Sequence, residues 1–381
     1  MAIKSKNFLL ALSVLIGTII GAGIFGIPYV IFKSGLIPGL FYFVVLGGAV
    51  LLIHLFFGET ILRTKEKCRL PGLAQRYLGN WGEKLVMLSV AVGITGALLA
   101  YLILGGEFLR ILLSSFLNLS QAQFTLIFWV LLSCFIFRGI KLIAPAELIT
   151  NFLFFFIVFI IFFFSLPKFN FSNLPVLNLP DIFLPFGVIL FSLIGWSALP
   201  EMLDFLKLPQ EKKQIKKIII AATLIVVLFY IFFALAVIGV AGKGVSQDAL
   251  SGLLPFLGPK IIFWGVLAAL ITLADSFLVL GLYLKNTFIY DLKFSKNLAT
   301  LVACGLPLVL FLVGFRSFIA TLGFVGTVVG AVEGIIIILI FRKAKKLGDR
   351  EPEYSLKVPS LLLYFLIAIL IFGAVFQIIS R

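Results

Sequence analysis

The sequence has few charged residues, one histidine and three cysteines. Asp, Glu, Lys and Arg make up 12% of the chain, against about a quarter in soluble proteins, so they are too few to cover a water-soluble globule. The cysteines, Cys68, Cys134 and Cys304, show no metal-binding spacing. Without clustered His, Cys, Asp or Glu side chains, the sequence predicts no enzyme, no cofactor and no metal site of that kind.

Long apolar runs take the place of charge. Hydrophobic residues make up 62% of the chain, and its mean hydropathy is +1.22. A lipid bilayer admits only helices and closed barrels, and the uninterrupted run FLFFFIVFIIFFFSL from Phe152 lacks the alternation of a barrel strand. We therefore predict an all-α polytopic protein embedded in lipid. Its eleven expected transmembrane helices are residues 8–30, 38–62, 84–112, 122–141, 144–166, 182–203, 215–241, 260–285, 297–314, 317–341 and 358–380.

The basic residues that give the net charge of +15 lie mainly in the loops between these spans. With a cytoplasmic N-terminus, 24 of the 31 Lys and Arg residues fall on the cytoplasmic side, as the positive-inside rule requires. The cations therefore report topology and do not indicate nucleic acid. We predict a multi-pass cell-membrane protein with its N-terminus in the cytoplasm and its C-terminus outside.

The first predicted span contains the run IGTIIGAGIFGIPYV, with Gly17, Gly21, Gly23, Gly26 and Pro28 close together. These are poor helix formers, and irregular backbone at membrane depth occurs only inside protein or along a watery cavity. The run predicts an unwound segment. A GxxxG helix contact is the alternative for the first two glycines. A dinucleotide-binding loop is excluded because the preceding strand and the following acidic residue are missing.

The sixth predicted span has a second interruption, in PFGVILFSLIGWSALPEM. Spans one and six open two blocks of five spans, and an odd number of spans places the blocks in opposite orientations. Paired interruptions at equivalent positions of inverted halves point to a transporter binding site. We predict a 5+5 inverted repeat with discontinuous helices one and six. Residues 1–345 form the transporter core, and residues 346–381 an inner loop and span eleven.

Three stretches resemble a known group of proteins: IGTIIGAGIFGIP, HLFFGETILRTKEKCRLPGLAQRYLG and GVILFSLIGWSALPEM. They are similar to the amino acid/auxin permeases and hydroxy/aromatic amino acid permeases of the amino acid–polyamine–organocation superfamily. The resemblance implies the leucine-transporter fold and ion-driven amino acid transport. It places the substrate carboxylate on the backbone of residues 21–26, the ammonium near residues 192–197, and Trp196 over the substrate or in packing. The substrate residues expected are Gly21, Ala22, Gly23, Ile24, Phe25, Gly26, Tyr101, Ser192, Gly195, Trp196 and Ser197.

Two acidic residues lie deep within predicted spans, where a charge needs a purpose or a partner. In span eight, Thr272, Asp275 and Ser276 share one helix face. In sodium-coupled relatives, hydroxyls of span eight and carbonyls of span one form a cation site, and the matching carbonyls here are those of Gly17 and Ile20. The carboxylate of Asp275 departs from that pattern and leaves proton and sodium coupling both open. Glu333 in span ten is a second ion-coupling candidate. A purely structural role is the alternative for both acids.

The sequence thus predicts a symporter of amino acids that works by alternating access, coupled to protons or sodium. The expected substrate is a neutral or aromatic amino acid, because no acidic ring or deep basic cluster is present. A nutrient-sensing receptor or a channel of the same fold is the alternative function. The sequence leaves open the identity of the amino acid and the oligomeric state.

Overall fold

The computed structural model describes residues 2–139, 144–206, 208–290 and 292–379. Within these ranges the protein is all-helical, which confirms the predicted fold class. Three cations of the predicted topology, Lys141, Lys207 and Arg381, lie outside the described residues. The helices are α1 (Ala2–Ile19), α2 (Gly23–Ser34), α3 (Leu36–Leu62), α4 (Leu70–Leu78), α5 (Asn80–Leu113), α6 (Gln121–Arg138), α7 (Ala144–Ser165), α8 (Leu184–Leu193), α9 (Leu199–Asp204), α10 (Pro209–Lys212), α11 (Ile215–Ala241), α12 (Leu254–Leu257), α13 (Pro259–Tyr290), α14 (Lys296–Leu312), α15 (Phe318–Phe324), α16 (Gly330–Leu347) and α17 (Ser360–Ile379).

Eight helical segments of the described chain are long and apolar enough to cross a membrane, and the bent pair α1 and α2 would make a ninth span. Two shorter apolar stretches, Phe152–Lys168 and Lys296–Leu312, coincide with predicted spans five and nine. The large apolar side chains on the outside of the bundle fit a lipid environment. In α7, for example, Phe152, Phe159 and Phe163 are each more than half exposed. The total of eleven spans stays a prediction.

Two spans are interrupted where the sequence predicts it. The chain leaves α1 after Ile19 and enters α2 at Gly23 with a bend of 54°. In span six, α8 ends at Leu193, a single 3₁₀ turn follows at Trp196–Ala198, and α9 begins at Leu199. Residues with low helix propensity occupy both interruptions, and Pro200 lies in the first turn of α9, where proline is tolerated.

The interrupted spans lie at the centre of the bundle. Helix α8 packs against α2, α3 and α15, and α11 packs against α1, α2 and α3. A second group surrounds α5, which packs against α6, α13 and α14. Most residues of the two breaks, among them Ile20, Ala22, Gly195 and Trp196, are therefore buried between helices, as irregular backbone at this depth requires.

Span ten contains a π-helical segment, Val325–Val329, between α15 and α16. This segment approaches α8 so closely that a Cβ added to Gly326 would lie 1.9 Å from the carbonyl oxygen of Gly187. Gly330 faces Ile194 of span six, and Gly334 faces α17. The close packing at Gly326 and Gly330 brings span ten against the interrupted span six.

One end of the bundle carries the basic loops 63–69, 212–217 and 342–357, and we call it the basic end. There the fully buried carboxylate of Glu59 pairs with Arg63 at 2.8 Å and with Lys345 at 3.5 Å. It also accepts the backbone N–H of Leu356 at 2.7 Å. The segment after α16 is thereby fixed to the end of α3.

Asp349 makes a second, more exposed connection at the basic end. It accepts the backbone N–H of Lys65 at 2.9 Å and pairs with Arg76, also at 2.9 Å. These contacts, the Lys65 N–H first, hold the pKa of Asp349 below its usual range. Two ion pairs, Lys67 with Asp204 and Arg69 with Glu201, join the loop after α3 to α9. Both pairs are more than half exposed at each partner.

Candidate functional site

The two interruptions touch each other. A Cβ added to Gly23 at the start of α2 would lie 2.1 Å from Ser192 Oγ and 3.0 Å from its backbone Cα. A Cβ added to Gly195 would lie 2.3 Å from Cγ1 of Ile19, the last residue of α1. Real Cβ atoms essentially never come closer than 3.0 Å to another heavy atom. The chain therefore needs glycine at positions 23 and 195 to bring the broken helices together.

Tyr230 of α11 bridges the two interruptions. Its hydroxyl lies 3.0 Å from the carbonyl oxygen of Ile19 at the end of α1 and 3.0 Å from that of Ser192 near the end of α8. The last carbonyls of a helix have no intrahelical partner. The Ile19 carbonyl also accepts the N–H of Gly21 at 3.1 Å, and the single proton of the Tyr230 hydroxyl serves the pair. The side chain is fully buried. One hydroxyl thus fixes the ends of both broken helices relative to each other.

His54 of α3 holds the break of span six from the opposite side. Its Nε2 accepts the backbone N–H of Gly195 at 3.1 Å. Because Nε2 accepts, the ring proton of the neutral histidine belongs to Nδ1, and Nδ1 has no hydrogen-bond partner in the described chain. His54 thus does more than pack in the core, since it satisfies an N–H that the interruption leaves free.

Trp196 connects the break of span six to span ten. Its indole N–H donates to Glu333 Oε2 at 2.6 Å, and its ring lies edge-on to the ring of His54, 6.0 Å between centroids. The second oxygen of Glu333, Oε1, has only a long contact from Ser89 Oγ of α5, at 3.5 Å. Trp196 is 2% and Glu333 8% exposed. Two residues predicted separately, one for substrate and one for the ion, are therefore direct partners.

Tyr101 of α5 connects the break of span one to α13. A Cβ added to Gly21 would lie 3.1 Å from the Tyr101 hydroxyl. The same hydroxyl interacts with the side chain of Ser276 and is near enough to Tyr230 for an electrostatic interaction. The structure therefore brings together the predicted substrate residues Gly21 and Tyr101 and the predicted ion residue Ser276.

Asp275 lies beside Ser276 on the same face of α13 and is 6% exposed. Its Oδ1 is buried and has no hydrogen-bond partner in the described chain. Thr272, on the same face, donates its hydroxyl to the carbonyl of Ala268 in its own helix. The carboxylate of Asp275 is therefore available to a proton or a cation. Of the expected carbonyl ligands, that of Gly17 belongs to the last turn of α1, and Ile20 directly follows this helix.

The remaining predicted residues lie at the edges of this site. Ala22, Ile24 and Phe25 are buried at the start of α2, and the Phe25 ring contacts Phe108 and Phe154 edge-on. A Cβ added to Gly26 would lie 3.0 to 3.2 Å from side chains of Leu322, Ile319 and Val188. Ser197 is exposed in the 3₁₀ turn.

Sequence reasoning missed Tyr230 and Ser89 as site residues. Tyr230 lies in LIVVLFYIFFALAV and Ser89 in VMLSVAV, where each is a polar group in an apolar run. Such a group needs a partner once it is buried, and that was the available signal. It does not identify the partner, since Tyr230 contacts residues 38 and 211 positions away along the chain.

Comparisons with known proteins agree with this fold. Residues 4–377 match the tryptophan/tyrosine permease family. The fold is similar to that in a structure described as the crystal structure of MhsT in complex with L-phenylalanine. The TM-score is 0.69, the sequence identity 15%, and the match covers 98% of each chain. This likeness confirms the predicted leucine-transporter fold. No curated protein sequence matches the chain.

Proposed function

Because the chain belongs to the tryptophan/tyrosine permease family, a family of amino acid transporters and not of enzymes, we propose that it is a symporter of aromatic amino acids. It works by alternating access and is driven by a proton or sodium gradient. The proposal places it in the cell membrane with its N-terminus in the cytoplasm and its C-terminus outside. Residues 1–345 carry transport, and residues 346–381 form the added loop and last span.

The observation that carries the proposal is the meeting of two half-helices at Gly23 and Ser192. The N-terminus of α2 follows Ala22, which offers no side-chain cap, so its partial positive charge is free to attract a carboxylate. The C-terminus of α8 presents carbonyl oxygens with the opposite partial charge, which suit an ammonium group. An amino acid carries both groups on one carbon and matches this pair of helix ends.

The substrate class is supported by the family description and by the phenylalanine in the MhsT complex. The lining of the site agrees in character. Phe25 and Tyr101 are aromatic and buried next to the break of span one, and a ring substrate packs well against such side chains. Trp196 and the backbone from Ser192 to Ser197 serve the ammonium side of the substrate.

The coupling ion is supported by two buried carboxyl groups, Asp275 and Glu333. An isolated charge inside a bundle is costly unless it is paired, protonated or bound to a cation. The unpartnered Oδ1 of Asp275, with Ser276 and Thr272 on the same face, offers oxygen ligands that suit sodium as well as a proton. The carbonyls of Gly17 and Ile20 would complete a sodium site if α1 moves toward α13.

The test is uptake by purified protein in proteoliposomes. Labelled phenylalanine, tyrosine and tryptophan are supplied under an imposed pH gradient, under a sodium gradient, and without any gradient. A symporter accumulates substrate above the outside concentration only with its coupling gradient. Equilibration to equal concentrations in every condition would identify a channel. Saturable binding without uptake would identify a sensor, and either result rejects the proposal.

A further inference from the structure

Glu333 lies inside span ten and has no cationic partner in the described part of the chain. It is 15 residues from Phe318 and eight from Phe341, the last residue before the basic end, which corresponds to about 22 Å and about 12 Å of helix. It therefore lies within the apolar part of the span, where an unpaired carboxylate is costly. The π-helical segment Val325–Val329 immediately precedes its turn, and π-bulges are frequent at functional sites.

The groups around Glu333 are donors, and this decides which ion the carboxyl can accept. Oε2 takes the indole N–H of Trp196 at 2.6 Å, and the hydroxyl of Ser89 is directed toward Oε1 from 3.5 Å. A metal ion needs several oxygen ligands whose lone pairs face it, whereas the indole N–H presents partial positive charge and Ser89 supplies a single hydroxyl oxygen. A proton needs a single lone pair, and Oε1 has one available.

The titratable neighbours are few. From α3, His54 lies behind Trp196, and Glu59, further toward the basic end, is paired with Arg63 and Lys345. From α5, the facing group is Ser89. At the other end of α16, Arg342 is bonded to Tyr364 of α17. Of these groups, His54 is the one that could titrate next to Trp196, and the experiment must distinguish it from Glu333.

Trp196 links the carboxyl of Glu333 to the substrate site. It directly follows Gly195, whose backbone lies against Ile19 and is bonded to His54. A displacement of the break therefore moves the indole N–H. That N–H bonds more strongly to the ionised carboxylate of Glu333 than to the protonated carboxyl, so it favours the ionised form. Any movement of Trp196 away from Glu333 thus strengthens proton binding at the carboxyl.

We propose that Glu333 is the group that takes up the coupling proton, and that Trp196 is the positioning residue that makes its proton affinity depend on substrate. The inference rests on the proposed transport function. When substrate enters between α2 and α8, the break of span six shifts and Trp196 withdraws from Oε2. One proton from the aqueous phase then adds to a carboxylate oxygen, and the charge of Glu333 changes from −1 to 0. Substrate binding thereby favours proton binding, and linkage requires the converse, which is the sign needed for symport.

The first experiment compares wild type, Glu333→Gln, Trp196→Phe and the control Glu107→Gln in proteoliposomes. Glu107 is an acid at the far end of α5 and pairs locally with Arg110. Two quantities are measured, namely exchange of labelled for unlabelled phenylalanine, and accumulation driven by a pH gradient. In Glu333→Gln we expect exchange to persist and to lose its pH dependence, while accumulation is lost. Trp196→Phe should exchange but accumulate less, and the control should match wild type.

The second experiment reads Trp196 directly. The other three tryptophans, Trp81, Trp129 and Trp264, are replaced by phenylalanine, so that the remaining emission comes from position 196. Emission should follow pH with a midpoint that phenylalanine raises, and it should become independent of pH in Glu333→Gln. His54→Gln keeps a side-chain acceptor for the N–H of Gly195. In this variant the emission of Trp196 should still change with pH as it does with His54 present.

Three results would overturn the inference. Glu333→Gln could accumulate phenylalanine like wild type under the pH gradient. The pH response of Trp196 could survive Glu333→Gln and vanish in His54→Gln. Wild type could accumulate substrate with a sodium gradient and not with a pH gradient, which would leave the transport function intact. Absence of exchange in wild type with any amino acid would instead reject the transport function itself.

Discussion

Replacing Tyr230 by phenylalanine removes one oxygen atom from the junction of the two broken helices. The Ile19 carbonyl keeps the N–H of Gly21, at 3.1 Å, whereas the Ser192 carbonyl at the end of α8 loses the donor that Tyr230 supplies. The cost is therefore that of one buried unsatisfied carbonyl, about 1–3 kcal/mol. It is not the cost of two such groups.

This energy should appear in substrate affinity, because the two helix ends that receive the carboxylate and the ammonium are no longer held together. A loss of 1–3 kcal/mol corresponds to a decrease of about 5- to 150-fold in affinity for phenylalanine. Binding of labelled phenylalanine to purified protein measures it, and melting temperature in detergent checks that the variant is folded. Tyr364→Phe is the matched control, since Tyr364 is 54% exposed and bonds only to Arg342 in the described chain.

The outcome that refutes this reasoning is clear. If Tyr230→Phe binds phenylalanine as tightly as wild type and melts at the same temperature, the hydroxyl does not stabilise the junction. If Tyr364→Phe loses as much affinity as Tyr230→Phe, the effect is unrelated to the broken helices.

Three further perturbations test other parts of the site. Gly23→Ala forces a Cβ against Ser192 and should cost about 1–3 kcal/mol through overpacking, seen as a lower melting temperature and loss of uptake; Gly48→Ala, with open space at the Cβ position, should do neither. Asp275→Asn should abolish accumulation, leave substrate binding partly intact and keep the pH response of the Trp196 emission; unchanged gradient-driven uptake would remove Asp275 from the mechanism. Asp349 has a lowered pKa, so the stability it adds is present above the ordinary Asp pKa and is lost as pH falls through the lowered value. At neutral pH the melting temperature of Asp349→Asn should therefore be lower than that of wild type, and in acid the two melting temperatures should converge.

The interruptions could be predicted from sequence because their cause is local. Glycine and proline weaken a helix at any position. The breaks are therefore predicted by the run from Gly17 to Pro28 and by the GWSALPE region. The acids Asp275 and Glu333 were also visible, since a charge within an apolar run has few structural explanations.

The partners of these residues could not be predicted, because they depend on contacts far apart along the chain. Trp196 and Glu333 are separated by 137 positions, and neither local pattern refers to the other. Tyr230 could not be singled out from the sequence for a different reason. A chain with 43 Phe and nine Tyr residues has many aromatics in its spans, and only the packing of α11 shows which of them reaches the helix ends.

The ion pairs at the basic end differ in strength, because some are exposed and others are buried. The contacts of α9 with the loop after α3 are between exposed side chains, which contribute about 0–1 kcal/mol each and weaken as salt screens them. The contacts of Glu59 are buried and are far less sensitive to salt. The two exposed pairs therefore add little to what holds α9 against this loop, whereas Glu59 fixes the segment after α16 to the end of α3. Added salt is expected to weaken the contacts of α9 before it affects those of Glu59.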